Sequence, residues 1–176
     1  AGQVGAAAVV SGDWDGDGDP DLAVANFGSN SVAVLRNNGA GIFMLTGTVP
    51  GQQGARALTV GDWNGDGSID IAVANFGSNS ASILINDGSG AFTVSGTVTG
   101  LEGVSALVSG DWDGDGDLDL AAANFGGNTV AILLNDGAGV FTTGITLSDM
   151  LGARALCAGD WDGDGAPDLA LGNSGA

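Results

Sequence analysis

DWDGDGDPDLAVANFGSN, residues 13–30, decides the reading of this chain, because its opening phrase returns three more times at a constant interval. Asp13, Asp62, Asp111 and Asp160 each open a DW(D/N)GDG segment, and each step is 49 residues with no insertion. Self-similarity at a fixed period of this length marks a repeat architecture in which each unit is one supersecondary element. The register also holds outside the loop: Phe27 aligns with Phe76 and Phe125, Asn37 with Asn86 and Asn135, Phe43 with Phe92 and Phe141, and Thr48 with Thr97 and Thr146. Cut by the period, the 176 residues give units at 1–49, 50–98 and 99–147 and a partial unit at 148–176.

Each full unit reads as four short strands separated by turn residues. In the second unit these are predicted at 55–60, 69–75, 80–85 and 92–98. Ile-Ala-Val-Ala at 71–74 and Ser-Ile-Leu-Ile at 82–85 hardly alternate, as expected of strands covered on both faces. Asn-Asp-Gly at 86–88 and 135–137 is expected to place positive-φ residues in the turn between the third and fourth strands. No window supports a helix. A four-stranded unit of about 40–50 residues in tandem is the pattern of a propeller blade. The expected fold is therefore all-β, with propeller-type blades of four antiparallel strands, about three and a half of them in this chain.

The four loops read DWDGDGDPD (13–21), DWNGDGSID (62–70), DWDGDGDLD (111–119) and DWDGDGAPD (160–168). Oxygen-bearing side chains stand at loop positions 1, 3, 5 and 9, with Gly at position 6. Alternate residues of a tight turn converge on one point, Gly permits the bend, and position 7 offers its carbonyl. This is the spacing a hard cation needs, and the number of oxygens suits Ca²⁺ better than Mg²⁺. The candidate ligands are Asp13, Asp15, Asp17 and Asp21 with the carbonyl of Asp19. In the second loop they are Asp62, Asn64, Asp66 and Asp70 with the carbonyl of Ser68. The third uses Asp111, Asp113, Asp115 and Asp119 with the carbonyl of Asp117, and the fourth Asp160, Asp162, Asp164 and Asp168 with the carbonyl of Ala166. About four Ca²⁺ ions, one per loop, are expected. Asn64 makes the second site one charge poorer, hence the weakest. Turn chemistry alone explains one or two Asp residues per loop, not so many carboxylates within nine residues.

Composition narrows the function. Three basic residues, all Arg, stand against 21 acidic ones, for a net charge of −18, and His is absent. Fifteen Asp ligands together with Asp19 and Asp117 make up 17 of those acids, so the charge is gathered in the loops. A chain so short of cations does not bind a nucleic-acid backbone. No apolar run approaches the ~18 residues of a membrane span, so no membrane insertion is expected. Without His or Lys, and with one Cys, most general-base and nucleophilic chemistries lack their residues, and an enzyme is not expected. The first residues, Ala-Gly-Gln, carry neither Met nor a charged signal head, and the chain reads as mature, processed or excised.

The stretch DWDGDGDPDLAVANFGSNSVAVLRNNGAGIF (13–43) resembles the VCBS and FG-GAP repeats, the latter known from integrin α-chain propellers and from fungal and bacterial lectins. The resemblance covers essentially the whole chain. It implies that each repeat is a blade, that the Asp-rich loop joins its first and second strands and binds Ca²⁺, and that the protein is extracellular or at a cell surface. Adhesion, carbohydrate recognition and extracellular architecture are the functions it implies. Propellers of that family close with about seven blades, more than this chain holds. Only Ala1 to Gln3 precede the first strand, so the N-terminus does not supply what the fourth unit lacks, and the physiological object is expected to be larger than the chain.

The remaining residues read as structural. Trp14, Trp63, Trp112 and Trp161 are expected to pack between blades, and Phe27, Phe76 and Phe125 to anchor turns closed by Asn30, Asn79 and Asn128. Cys157 falls in the column of Val10, Thr59 and Val108 and reads as a buried thiol; Arg36, Arg56 and Arg154 read as solvated charges. The function expected is a calcium-binding extracellular structural repeat protein, a building block of a filament, longer array or inter-chain ring. Its partners would be other copies of itself or further repeats of the same chain. The alternative is a carbohydrate-binding lectin or adhesin with glycans as partners.

Overall fold

Asparagine and glycine set where the strands stop. Asn30, Asn79 and Asn128 sit at φ 52°, 53° and 53°, left-handed values that Asn tolerates better than other side-chain-bearing residues. Each Asn Oδ1 accepts the N–H of a glycine 24 residues on, Gly54, Gly103 or Gly152, at 2.7–2.9 Å. One residue thus closes the turn after a second strand and fixes where the next unit begins.

The computed structural model describes residues 4–175, all of them strand, turn or loop; residues 1–3 and 176, the outermost parts of the first and last units, lie outside the described residues. The first unit holds β1 (Ala6–Gly12), β2 (Asp21–Asn26), β3 (Ser31–Asn37) and β4 (Phe43–Pro50). The second holds β5 (Ala55–Gly61), β6 (Asp70–Asn75), β7 (Ser80–Asn86) and β8 (Phe92–Thr99). The third holds β9 (Val104–Gly110), β10 (Asp119–Asn124), β11 (Thr129–Asn135) and β12 (Phe141–Leu147), and the fourth β13 (Ala153–Gly159) and β14 (Asp168–Asn173). Every unit is an antiparallel meander, β1-β2-β3-β4 and its repeats, with only β13-β14 in the last. The first strands β1, β5, β9 and β13 lie side by side, so the sheets are arranged as propeller blades around them.

The apolar core lies between sheets. In β6, Ile71 and Val73 join a buried cluster with Trp14, Ala23 and Val34 of the first unit. Their neighbours Ala72 and Ala74 join another with Leu107, Leu120 and Leu133 of the third. A strand of period two therefore serves two different cores. This explains why β6 and β10 are buried at every residue while the outermost strands β8 and β12 are largely exposed. The third cluster, around Ala123, Val130 and Ala153, is smaller because the fourth unit contributes two strands only.

At 86–91 and 135–140 the positive φ values expected of Asn-Asp-Gly fall on its glycines, Gly88 and Gly137, and also on Gly90 and Gly139 beyond them. The connection is a longer loop: Asp87 N–H reaches Ala91 O at 3.2 Å, and Asn86 Oδ1 accepts from Gly88 and Gly90. Asn86 caps that loop from an ordinary backbone conformation. Cys157, expected buried, is exposed. Val10, Thr59 and Val108 in its column are half-buried, and among the described residues no further unit packs over Cys157.

Arg154 is exposed and Arg56 half-buried, and both make a contact that composition does not show. Pairing slips by one residue near the start of the first strands, between Ala55 and Ala57 and between Ala153 and Ala155. Arg56 and Arg154 are the extra residues, and such bulges re-aim a side chain. Their guanidinium carbons stand 4.9 Å and 4.5 Å from the ring centroids of Phe76 and Phe125, so they cover those rings. Arg36 pairs with a loop carboxylate, described below.

Candidate metal centre

The loops between first and second strands are shaped by their own carboxylates before any cation is considered. Asp13 Oδ1 and Oδ2 accept the N–H groups of Gly16 and Gly18 at 2.8 and 3.0 Å. Asp62, Asp111 and Asp160 repeat the arrangement with Gly65 and Gly67, Gly114 and Gly116, and Gly163 and Gly165. Position 5 then accepts from the N–H of position 7: Asp17 from Asp19, Asp66 from Ser68, Asp115 from Asp117 and Asp164 from Ala166. Gly16 and Gly18 hold φ 74° and 90°, values that require glycine, and the corresponding pairs in the other loops do likewise.

Position 9 anchors the loop to the sheet. Asp70 Oδ2 accepts from Trp63 N–H at 3.0 Å and its Oδ1 from Asn86 N–H at 2.8 Å, so one buried carboxylate joins the start of the loop to the end of β7. Asp21 and Asp119 make the same pair of bonds. Asp168 accepts from Trp161 at 2.9 Å. Burial pushes the carboxyl groups of Asp70 and Asp119 above the usual carboxylate value, against the pull of these N–H donors.

Among the described residues, carboxylates converge in three loops: Asp13, Asp15 and Asp17; Asp111, Asp113 and Asp115; and Asp160, Asp162 and Asp168. Within each group one oxygen per residue lies within 4.8 Å of the others. Three like charges so close repel unless a cation or proton neutralises them, and an all-oxygen donor set is that of a hard cation. The residues present therefore fit a hard metal ion. Asp21 and Asp119, assigned by spacing as ligands, are occupied by backbone donors on both oxygens and stand outside those triads. At position 7 the side chains of Asp19 and Ser68 lie against Gly39 and Gly88 of the next loop along the sheet.

The second loop is different. Asn64 places an amide where the others have a carboxylate, and its Nδ2 donates to Asp66 Oδ2 at 2.9 Å. The Ser68 N–H, with help from Asn64, holds the Asp66 carboxyl below the usual range. The first loop carries its own cation: Arg36 Nη1 stands 3.1 Å from Asp15 Oδ2. Ile85 and Leu134 take the place of Arg36 in the next two units, so this pairing belongs to the first alone.

Spacing did not reveal the clasp between units. Asn86 Nδ2 donates to Trp14 O at 2.9 Å and to Ile69 O at 3.2 Å; Asn135 does the same with Trp63 O and Leu118 O. Above the same carbonyls, Phe92 and Phe141 meet the rings of Trp14 and Trp63 edge-on, with centroids 5.6 and 5.8 Å apart. The recurrence of Asn37, Asn86 and Asn135 in one column was the available signal, and it reads equally as turn chemistry.

The comparisons with known proteins fall on the same period. The FG-GAP-like repeat family matches at residues 13–73, 62–122 and 111–171, each match joining the loop of one unit to that of the next. No curated protein sequence matches significantly. Among solved structures, the chain is similar to a protein from Lactobacillus plantarum (TM-score 0.64, 19% identity, 87% of this chain and 45% of that one). It is similar also to an Agrocybe aegerita lectin described as recognising non-reducing terminal N-acetylglucosamine (TM-score 0.62, 24% identity, 90% of this chain and 44% of that one). A third is the V. cholerae biofilm matrix protein Bap1 (TM-score 0.51, 22% identity, 96% of this chain and 28% of that one). The chain spans less than half the length of each. At these identities the likeness is one of fold, and the fold is the propeller type. With matches running from residue 13 to residue 171 and a sheet rebuilt at each period, the chain belongs to the family of FG-GAP-like repeat proteins.

Proposed function

We propose that this protein is a Ca²⁺-stabilised structural module of an extracellular assembly, without catalytic activity of its own. The observation that carries the reading is the convergence of three carboxylates in each of three loops, on a chain of net charge −18. Asp13, Asp15 and Asp17, Asp111, Asp113 and Asp115, and Asp160, Asp162 and Asp168 would hold the ion, with the position-7 carbonyls completing the shell. The ion supplies neutralisation of charge. The backbone N–H groups of Gly16 and Gly18 and their repeats orient the first carboxylate, and Asp21, Asp70 and Asp119 tie the loop to its sheet. An extracellular setting is supported by the repeat family and by the likeness to a biofilm matrix protein. Whatever binds the folded form alone stabilises it by mass action. Millimolar Ca²⁺ should therefore raise the melting temperature and chelator lower it, with three to four ions per chain by elemental analysis. Neither effect appearing would overturn the reading.

A second reading rests on the clefts between the outer strands of adjacent units. One is lined by Arg36, Thr46, Thr48, Ser89 and Phe92, and the next by Ser95, Thr97, Val140 and Phe141. Hydroxyls beside an aromatic edge suit a sugar, and the likeness to a lectin supports this reading. Binding on a glycan array that disappears on replacing Thr48 and Thr97 by Val would favour it; a silent array would remove it.

A further inference from the structure

The second loop holds an amide where the others hold a carboxylate, and that amide stands before a glycine, Asn64–Gly65. Asparagine before glycine is the pair in which the following backbone nitrogen reaches the side-chain carbon most easily, because glycine has no Cβ in the way. At Gly65 a Cβ would meet nothing within 4 Å, so the approach is open. Each group that such an attack involves is held by a hydrogen bond. Gly65 N–H, the nucleophile, donates to Asp62 Oδ1 at 2.8 Å. Asn64 Oδ1, where negative charge would develop, accepts from Asp66 N–H at 3.1 Å. Asn64 Nδ2, the leaving group, donates to Asp66 Oδ2 at 2.9 Å. A base on the nucleophile and a backbone donor on the developing oxyanion are the two devices that speed acyl transfer.

We infer that Asn64–Gly65 is a self-deamidating site, at which the second loop converts its amide into the carboxylate that Asp15, Asp113 and Asp162 supply in the other three. Gly65 N attacks Asn64 Cγ and an N–Cγ bond forms. The proton leaves Gly65 N for Asp62, the Cγ–Nδ2 bond breaks, and the amide nitrogen departs with that proton as ammonia. Water then adds at Cγ of the five-membered imide and breaks the new N–Cγ bond, which restores Gly65 N–H and leaves a carboxylate on residue 64. The sum is amide plus water to carboxylate plus ammonium, with no oxidation or reduction. Opening the imide at the backbone carbonyl would instead lengthen the main chain by one CH₂ and draw Gly65 and Gly67 away from Asp62. The aspartate product meets no such obstacle: Asp113 and Asp162 already occupy the same frame, accepting the N–H groups of Asp115 and Asp164 at 3.2 and 3.1 Å. Conversion also removes the N–H that occupies Asp66 Oδ2, so two carboxylates are gained for a cation. That consequence rests on the Ca²⁺ reading; the chemical step does not.

The chain contains its own comparison in Asn38–Gly39, exposed where Asn64 is half-buried. There Asn38 Oδ1 accepts from Ala40 and Ile42 N–H, and among the described residues no carboxylate accepts from Gly39 N–H. Exposure alone would make Asn38 the faster of the two; a base on the nucleophile makes it Asn64. The test incubates the full chain at neutral pH, with circular dichroism showing its sheets intact, and follows both asparagines by peptide mass spectrometry. Asn64 should convert about tenfold or more faster than Asn38, to aspartate. In urea the difference should vanish, and in Asp62→Asn the rate at 64 should fall to that of Asn38, whose own unchanged rate shows the variant still folded. Equal rates in the folded chain, isoaspartate as the main product at 64, or an unchanged rate in Asp62→Asn would overturn the inference. Ca²⁺ titration of the fresh chain, the aged chain and Asn64→Asp separates the two readings. Conversion at 64 with no Ca²⁺ bound by any of them upholds the site and rejects the metal, whereas tighter Ca²⁺ in Asn64→Asp without conversion of the wild type rejects the site alone.

Discussion

The side-chain amide of Asn86 donates to the backbone carbonyl of Trp14, 72 residues earlier, at 2.9 Å, so a residue at the end of β7 holds the Asp-rich loop of the preceding unit. Its other contacts, to Ile69 O, Gly88 N–H and Gly90 N–H, hold its own unit. Breaking a buried hydrogen bond and stranding its partner costs about 1–3 kcal/mol. Asn86→Ala and Asn135→Ala should each lower stability by about that much in urea melts, and Asn37→Ala, whose amide lacks the inter-unit bond, by less. Equal losses at all three would show that the bond between units contributes nothing.

The tryptophans should separate by position. Trp63 is fully buried under Phe141, and Trp63→Ala should cost about 3–5 kcal/mol. Trp161 is exposed, and Trp161→Ala should fall within about 0.5 kcal/mol under conditions that keep the chain monomeric. Calorimetry of the two variants checks the contrast.

Asp62 takes two N–H groups on its own oxygens and opens the second loop. Asp62→Ala should remove one Ca²⁺ per chain in elemental analysis and lower the melting temperature. Metal content and melting both unchanged would contradict the assignment of that loop.

Arg36 pairs with Asp15, so it would compete with the Ca²⁺ proposed for the first loop. Arg36→Leu, giving the first unit the kind of residue found at Ile85 and Leu134, should tighten Ca²⁺ at the first loop about two- to fivefold, the size of a partly exposed ion pair. Chelator competition titration reads this directly, and weaker binding would reverse the argument.

Stability against pH should change sign with metal. Burial raises the carboxyls of Asp70 and Asp119, so the stability they contribute is present below their ordinary value of 3.8 and is lost as pH rises through the raised ones. Asp66 and Asp87 are lowered chiefly by hydrogen bonds from Ser68 and Ser89, and their contribution disappears only below 3.8. Between about pH 4 and 6 the first pair governs: in chelator the melting temperature should fall as pH rises, and in saturating Ca²⁺, which needs deprotonated ligands, it should rise. Thermal scans over that window in both buffers decide it.

The strands and loops were legible because they repeat. The strands expected at 55–60 and 80–85 appear as Ala55–Gly61 and Ser80–Asn86, and the unbroken apolar character of residues 71–74 does reflect a strand covered on both faces. What escaped the sequence depended on neighbours. Cys157 shares a column with half-buried residues, yet its exposure depends on whether another unit packs over it, which a column does not record. The ring contacts of Arg56 and Arg154 went unseen because a one-residue slip in pairing, with Phe76 or Phe125 beneath, leaves no mark in composition. Likewise Asp15 and Asp113 are the same letter at the same loop position, and only the packing of Arg36 distinguishes them.

Placing the core between sheets also bears on heredity. Because each unit completes its neighbours through identical columns, an unequal exchange in the gene that gained or lost one whole period would deliver a chain in which every internal joint is already correct. A gain or loss of any other length would misalign Trp14-type rings against Phe92-type partners and be purged. The length of such a protein would therefore drift in whole steps, as a count of repeats, while its loops stay almost uniform in size.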